Sequence, residues 1–301
     1  MAKWLEPCFP HRPVTSNHPD NMIGSSSRRI LTLLLLAIFV AAPAAAQDYK
    51  EAYNAGLAAA TAKNYAEALI KFSEASDGAK AEGDADVQAR SNKIIGQIEY
   101  SLGVQQTRAS RFDAALTHFE NGMTRYPTYA KNFLGKALAL KKLERTDDAM
   151  TAFQAAIEIG NANQDRATAR KAETAILEHF VFLASTALSR SASGASAADG
   201  DAALTHLAKV STYVEPDADV MYYTAVAHQA KGQATDAIAA ADKSLELHKG
   251  SRTDKAKIYF VKGEALMRAG DSAGARAAFQ SAAVGSYRAS AEHFIELLGT
   301  N

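Results

Sequence analysis

The sequence predicts an all-α fold, a solenoid of about six helix pairs closed by a C-terminal capping helix, on three observations. One spacing comb recurs six times in order. Alanine-rich segments of high helix propensity fill most of residues 49–298. No stretch of strand length alternates apolar and polar residues with a period of two.

The comb is clearest over residues 112–157. With Ala115 as anchor, Phe119 lies four residues on, Gly122 seven on, Pro127 twelve on and Gly103 twelve before. Offsets of four and seven share one helix face. The same comb fits Ala149 (Ala137 before, Phe153 and Ala156 after), Ala68 (Gly56, Phe72, Ala75) and Ala275 (Gly263, Phe279, Ala282). Weaker copies centre on Ala237, with Ala225 before and Ala241 and Ser244 after, and on Ala203, with Leu207, Val210 and Pro216 after. Successive anchors are 47, 34, 54, 34 and 38 residues apart.

This pattern resembles the tetratricopeptide repeat, a helix-turn-helix unit of 34 residues that stacks into a superhelix. The resemblance covers most of residues 49–298 and implies a right-handed α-solenoid. Each position has a mechanical reason. A small residue on the first helix lets the second come close, the anchor alanine sits in that contact, and the phenylalanine one turn on fills the space between one repeat and the next.

In chain order, residues 1–21 show no helical or strand periodicity and read as disordered or as an overextended start, with Met22 as the natural beginning. A basic pair (Arg28, Arg29), an apolar run from Ile30 to Val40 and a small-x-small site at Ala44 and Ala46 make residues 1–46 a leader with a secretory signal, cleaved after Ala46. The apolar run has eleven residues. At ~1.5 Å each they reach only ~17 Å, short of a ~30 Å hydrocarbon core, so no stable membrane span is expected after cleavage.

The repeat units are expected at about 49–82, 84–127, 128–161, 163–216, 218–250 and 252–286, with the cap at 288–298. The wide first gap predicts extended helices around Asp77–Gly83. Tyr126-Pro127 ends the second unit because proline cannot continue a helix, and the third is expected to end near Gly160. The fourth is irregular: one long helix over 163–190, a flexible small-residue tract from Ser191 to Gly200, and a helix over about 201–213.

The full chain carries 33 basic and 33 acidic residues. Losing residues 1–46 removes four of the first kind and two of the second, leaving 29 and 31. A near-neutral chain lacks the basic field that nucleic acid requires, so no nucleic-acid partner is expected. Cys8 and Trp4 leave with the leader, so the mature chain is held by packing alone, without disulfides or thiolate chemistry.

Catalytic patterns are scarce, and neither a cofactor nor a metal is expected. Gly194-Ala195-Ser196-Ala197-Ala198 lacks the closing glycine and the preceding strand of a nucleophile elbow. None of His118, His179, His206, His228, His248 and His293 has a second histidine three or four residues away. The triplets Glu178-His179-Phe180 and Glu292-His293-Phe294 read as half-exposed helix positions. No Walker-type loop or dinucleotide fingerprint occurs.

The resemblance implies an inner groove lined by first-helix side chains fifteen and eleven residues before each anchor. Those are Tyr53 and Leu57, Tyr100 and Val104, Leu134 and Leu138, Tyr222 and Val226, and Phe260 and Glu264. Nine of these ten are apolar or aromatic, which suits an amphipathic helix or an extended apolar peptide as readily as packing between helices. Lys131, Lys141 and Lys142 flank the third-unit pair on the same helix and suit an acidic partner, although surface lysines are more often plainly solvated. Family members that clamp a C-terminal carboxylate use Lys and Asn where this chain has Tyr53, Leu57 and Leu134, which disfavours that ligand. The expectation is an exported, non-catalytic scaffold in the periplasm or secreted space, with a protein or peptide partner. The alternatives are a hydrolase or small-ligand protein with its site at 163–200, or a structural spacer.

Overall fold

A computed structural model describes residues 42–189 and 194–299. The expected leader lies outside the described residues except for Ala42–Ala46, which begin the first helix, and residues 191–193 of the small-residue tract lie outside them as well. Thirteen α-helices occur among the described residues, and no strand. They pair as α1 (Ala42–Thr61) with α2 (Tyr65–Ala81), α3 (Ala85–Arg108) with α4 (Phe112–Arg125), and α5 (Ala130–Lys142) with α6 (Thr146–Ala162). Next come α7 (Arg166–Leu188) with α8 (Ala197–Ala208), α9 (Ala218–Ala230) with α10 (Ala234–Leu247), and α11 (Arg252–Arg268) with α12 (Ser272–Ala282). Helix α13 (Arg288–Leu297) caps the stack.

Each helix packs on its neighbours in sequence, and each first helix also meets the first helix of the next unit. Among the described residues no two second helices approach comparably. Closer spacing in one layer than in the other bends the stack toward the first helices, so the architecture is an all-α solenoid with first helices on its inner side.

The core follows the comb. All six anchor alanines are fully buried, and so are Phe72, Phe153 and Phe279. Phe119 is wedged between two units: a methyl group on Gly103 of α3 would lie 2.5 Å from its ring, and one on Gly135 of α5 would also collide with it. Here the glycines are required by close approach rather than by backbone conformation. At the far end Phe279 packs on Gly263 and stacks on Phe294 of the cap, with centroids 4.9 Å apart. Two ion pairs at repeat-equivalent positions tie second helices to the following first helix: Lys136 to Glu120 at 2.8 Å, and Lys262 to Asp242.

One recurring element was not legible in the comb. Five residues before five of the anchors, at Lys63, Ser110, Glu144, Gly232 and Gly270, the backbone is left-handed, with φ between 57° and 84°. The next residue donates its N–H to the carbonyl five positions back, as from Asn64 to Ala59 (2.9 Å), Arg111 to Gln106 (3.0 Å) and Arg145 to Leu140 (3.0 Å). This closes the last turn of these five first helices by a Schellman bond. Lys63, Ser110 and Glu144 bear a side chain in a region that costs an L-residue ~1–2 kcal/mol. Glycine there gives back ~0.5–1 kcal/mol in chain entropy. The triple replacement by glycine is therefore expected to raise stability by about 1–2 kcal/mol, read as a higher urea midpoint at unchanged slope. Glycine at helical Ala58 should lower it.

Helix α6 ends at Ala162, near Gly160 as expected; Gly160 itself is buried where α6 meets α7, and a methyl group there would lie 3.0 Å from the Asp165 carbonyl oxygen. One sequence expectation is corrected. The tract expected to be flexible to Gly200 is helical from Ala197. Ser196 caps it: its hydroxyl accepts from the Asp199 N–H at 3.2 Å, while the Asp199 carboxylate accepts from the Ser196 N–H at 2.9 Å. A capping box inside a run of small residues reads as a linker unless the acid three residues on is weighed.

Candidate functional site

The inner layer is best indexed from the end of each first helix. Eight residues before the end stand Tyr53, Tyr100, Leu134, Phe180, Tyr222 and Phe260; four before it stand Leu57, Val104, Leu138, Ala184, Val226 and Glu264. Counting from the anchor misses Phe180 and Ala184, because eight residues separate α7 from α8 where the other units have three. The helix end, not the anchor, keeps the register through that insertion.

The two positions differ in character. At the first, Tyr53, Tyr100 and Phe260 rest on the bulky phenylalanine of their own unit, with ring centroids 5.6, 6.1 and 5.5 Å from Phe72, Phe119 and Phe279. Leu134 is buried, and Phe180 is buried against the Tyr213 ring at 5.8 Å. These side chains chiefly seal the pair beneath them. Phe260 in particular sits in an aromatic cluster with Tyr287 and Phe294. At the second position Val104 and Val226 are half-buried, whereas Leu57 and Leu138 stand 40% and 43% exposed. Glu264 accepts from the Gln229 amide at 2.8 Å.

Tyr222 is half-buried with the Lys257 ammonium 4.6 Å above its ring, and Lys257 also pairs with Asp219 at 2.6 Å. Burial, with the Tyr287 and Tyr223 phenols nearby, pushes the Tyr222 hydroxyl well above the usual phenol range. Burial raises the Tyr100 and Tyr129 phenols too. These hydroxyls stay protonated at neutral pH and act as hydrogen-bond donors and apolar surface, not as bases.

Between α5 and α7 the inner layer opens into a cleft of about 400 Å³. Leu134, Leu138 and Ala175 form its apolar part, and Arg170, Lys171, Thr174 and Glu178 the rest. Lys131 lies one turn before Leu134, its ammonium 5.6 Å over the Tyr129 ring. Phe182, one turn beyond Glu178, is 66% exposed, the most exposed large apolar side chain among the described residues. It went unnoticed in the sequence because no face could be assigned to the long helix of the irregular unit.

Among the described residues no group of three or more His, Cys, Asp or Glu is placed to hold a metal ion. Nor is any helix there long and apolar enough to cross a membrane. His118, solitary in the sequence, meets Glu99 of α3 at 2.6 Å in a mostly buried pair. The two Glu-His-Phe triplets fall on helix faces as expected from adjacency: Glu178 and Glu292 are exposed, while Phe180 and Phe294 turn inward.

No family model and no curated protein matches the chain. Among solved structures it is similar to the C-terminal part of a TPR repeat-containing protein from Cytophaga hutchinsonii, with 17% identity, 76% of this chain and 77% of that one covered, and a TM-score of 0.38. It is also similar to the P58(IPK) TPR domain (14% identity, 84% and 65% covered, TM-score 0.35). A chain of the APC/C hetero-tetramer Cut9-Hcn1 matches at 14% identity and TM-score 0.35, over 78% of this chain but only 46% of that one. At such identities and scores no function passes from these proteins to this chain.

Proposed function

We propose that the protein is an exported, non-catalytic scaffold that binds a protein or peptide partner along its inner layer of first helices, in the periplasm or secreted space. The carrying observation is that Leu57 and Leu138, at equivalent positions of different units, expose apolar side chains on the inner side of the stack. Bulky apolar groups repeated on one side of a solenoid make a surface that an amphipathic helix or extended segment covers. The basic pair, apolar run and small-x-small site of residues 28–46 support export.

The test is a pull-down from envelope extract with the full-length gene expressed in its own host. One stoichiometric protein should be recovered, and should be lost on combining Leu57→Asp with Leu138→Asp. Both side chains face solvent, so the variant should keep its helical circular dichroism. Recovery untouched by that pair removes the groove, and a mature chain that does not begin at or near Gln47 removes the export reading.

A further inference from the structure

The charge of this nearly balanced chain is unevenly placed. Along α5, at about 100° per residue, Lys131, Leu134, Leu138 and Lys141 fall within an arc of about 80°. Along α7, Arg170, Lys171, Thr174, Glu178 and Phe182 share one side, within an arc of about 120°. Elsewhere in the first helices Lys136, Lys257 and Lys262 each hold a carboxylate of another helix within 2.8 Å. Among the described residues Lys131, Lys141, Arg170 and Lys171 hold none. Two of these uncompensated cations, Arg170 and Lys171, thus line an apolar cleft that contains one carboxylate, Glu178, and Lys131 and Lys141 lie on the same arc of α5 as its Leu134 and Leu138. The same cleft has an exposed leucine on one wall and leads to an exposed phenylalanine on the other.

Resting on the groove reading above, we propose that the cleft between α5 and α7 is the specificity site, and that its occupant is an acidic amphipathic segment of a partner protein. One or two bulky apolar side chains of that segment lie on Leu134, Leu138 and Ala175, and its carboxylates meet Lys131, Lys141, Arg170 and Lys171. Opposite charges across the contact fix the register of the segment and hasten its encounter, while the apolar contacts hold it. A nucleic-acid strand fits less well: it would bring phosphates to Glu178 and has no use for a leucine floor.

The test uses the full chain and a fluorescein-labelled peptide of about twelve residues alternating Leu with Glu, read by anisotropy. Binding is expected to weaken at least about tenfold between roughly 0.05 and 0.5 M salt, as screening shortens the reach of the cations. Arg170→Glu combined with Lys171→Glu should weaken it at least as much. Lys71→Glu on α2 should leave it unchanged, and the peptide with Lys for Glu should not bind. Equal binding of the acidic and basic peptides, tighter binding of a single-stranded oligonucleotide, or no binding of the acidic peptide overturns the proposal. Loss with Leu138→Ser but not with charge reversal overturns the acidic preference and leaves the groove standing. Failure of the groove itself is read separately, from a pull-down indifferent to Leu57 and Leu138.

Discussion

Phe119→Ala is expected to lower the unfolding free energy by about 3–5 kcal/mol, the cost of removing a fully buried aromatic ring. The upper part of that range applies because the ring's walls cannot close in. Gly103 and Gly135 touch it from the two sides, and neither has a side chain to move into the space. The ring also belongs to the contact between the second and third units, so the loss falls on a single interface of a stack whose stability is a sum over units and interfaces. Urea unfolding followed by circular dichroism should therefore show a lower midpoint, and a shallower transition where the two halves of the stack separate. Exposed Phe182→Ala should change stability by no more than about 0.5 kcal/mol. A cost below about 1 kcal/mol for Phe119 would mean that it does not join the two units.

The contrast between those two phenylalanines shows what the sequence could carry. Phe119 is legible because its spacing from Ala115 and from Gly103 repeats in three other units, and repeated spacing reports a repeated contact. Gly135 was not recognised as the second wall, since it belongs to the next unit and lies outside the comb of Ala115. The left-handed turns at Lys63, Ser110 and Glu144 were hidden for another reason: the backbone adopts that conformation at all three without glycine to signal it. In the candidate groove, the family resemblance pointed to Leu57 and Leu138 but could not separate them from Tyr53, Tyr100 and Phe260. All five are large and apolar, and which of them rests on a phenylalanine beneath is decided by packing across a helix pair. The cation cluster was half visible. Lys131, Lys141 and Lys142 stood out on α5, while Arg170 and Lys171 join them only when α7 is laid beside that helix.

Gly122→Ala is expected to cost about 2–4 kcal/mol although alanine is the better helix former, and the cost should be largely cancelled by a second substitution. Helices α3, α4 and α5 meet where Gly96, Gly122 and Asn132 lie in contact. A methyl group on Gly122 would stand 2.8 Å from the Asn132 side-chain carbonyl carbon, and one on Gly96 2.5 Å from Cβ of Tyr126. Asn132 is fully buried; its amide donates to the Gly96 carbonyl at 3.1 Å, and its side-chain oxygen has no partner. The new methyl must displace this amide, adding overpacking strain of ~1–3 kcal/mol to the ~1–3 kcal/mol of a buried polar group left without its bond. Asn132→Ala alone removes one hydrogen bond and one unsatisfied oxygen together, so it should cost no more than about 1–2 kcal/mol. In the double variant the methyl introduced by Gly122→Ala occupies the space the amide has left, no buried polar group is stranded, and α4 gains the helix propensity of alanine. The double variant should therefore be more stable than Gly122→Ala, with a coupling of at least about 1–2 kcal/mol in a double-mutant cycle read by urea unfolding. Additive costs would show that the amide and the glycine do not share that space, and the close crossing of the three helices would then need another cause.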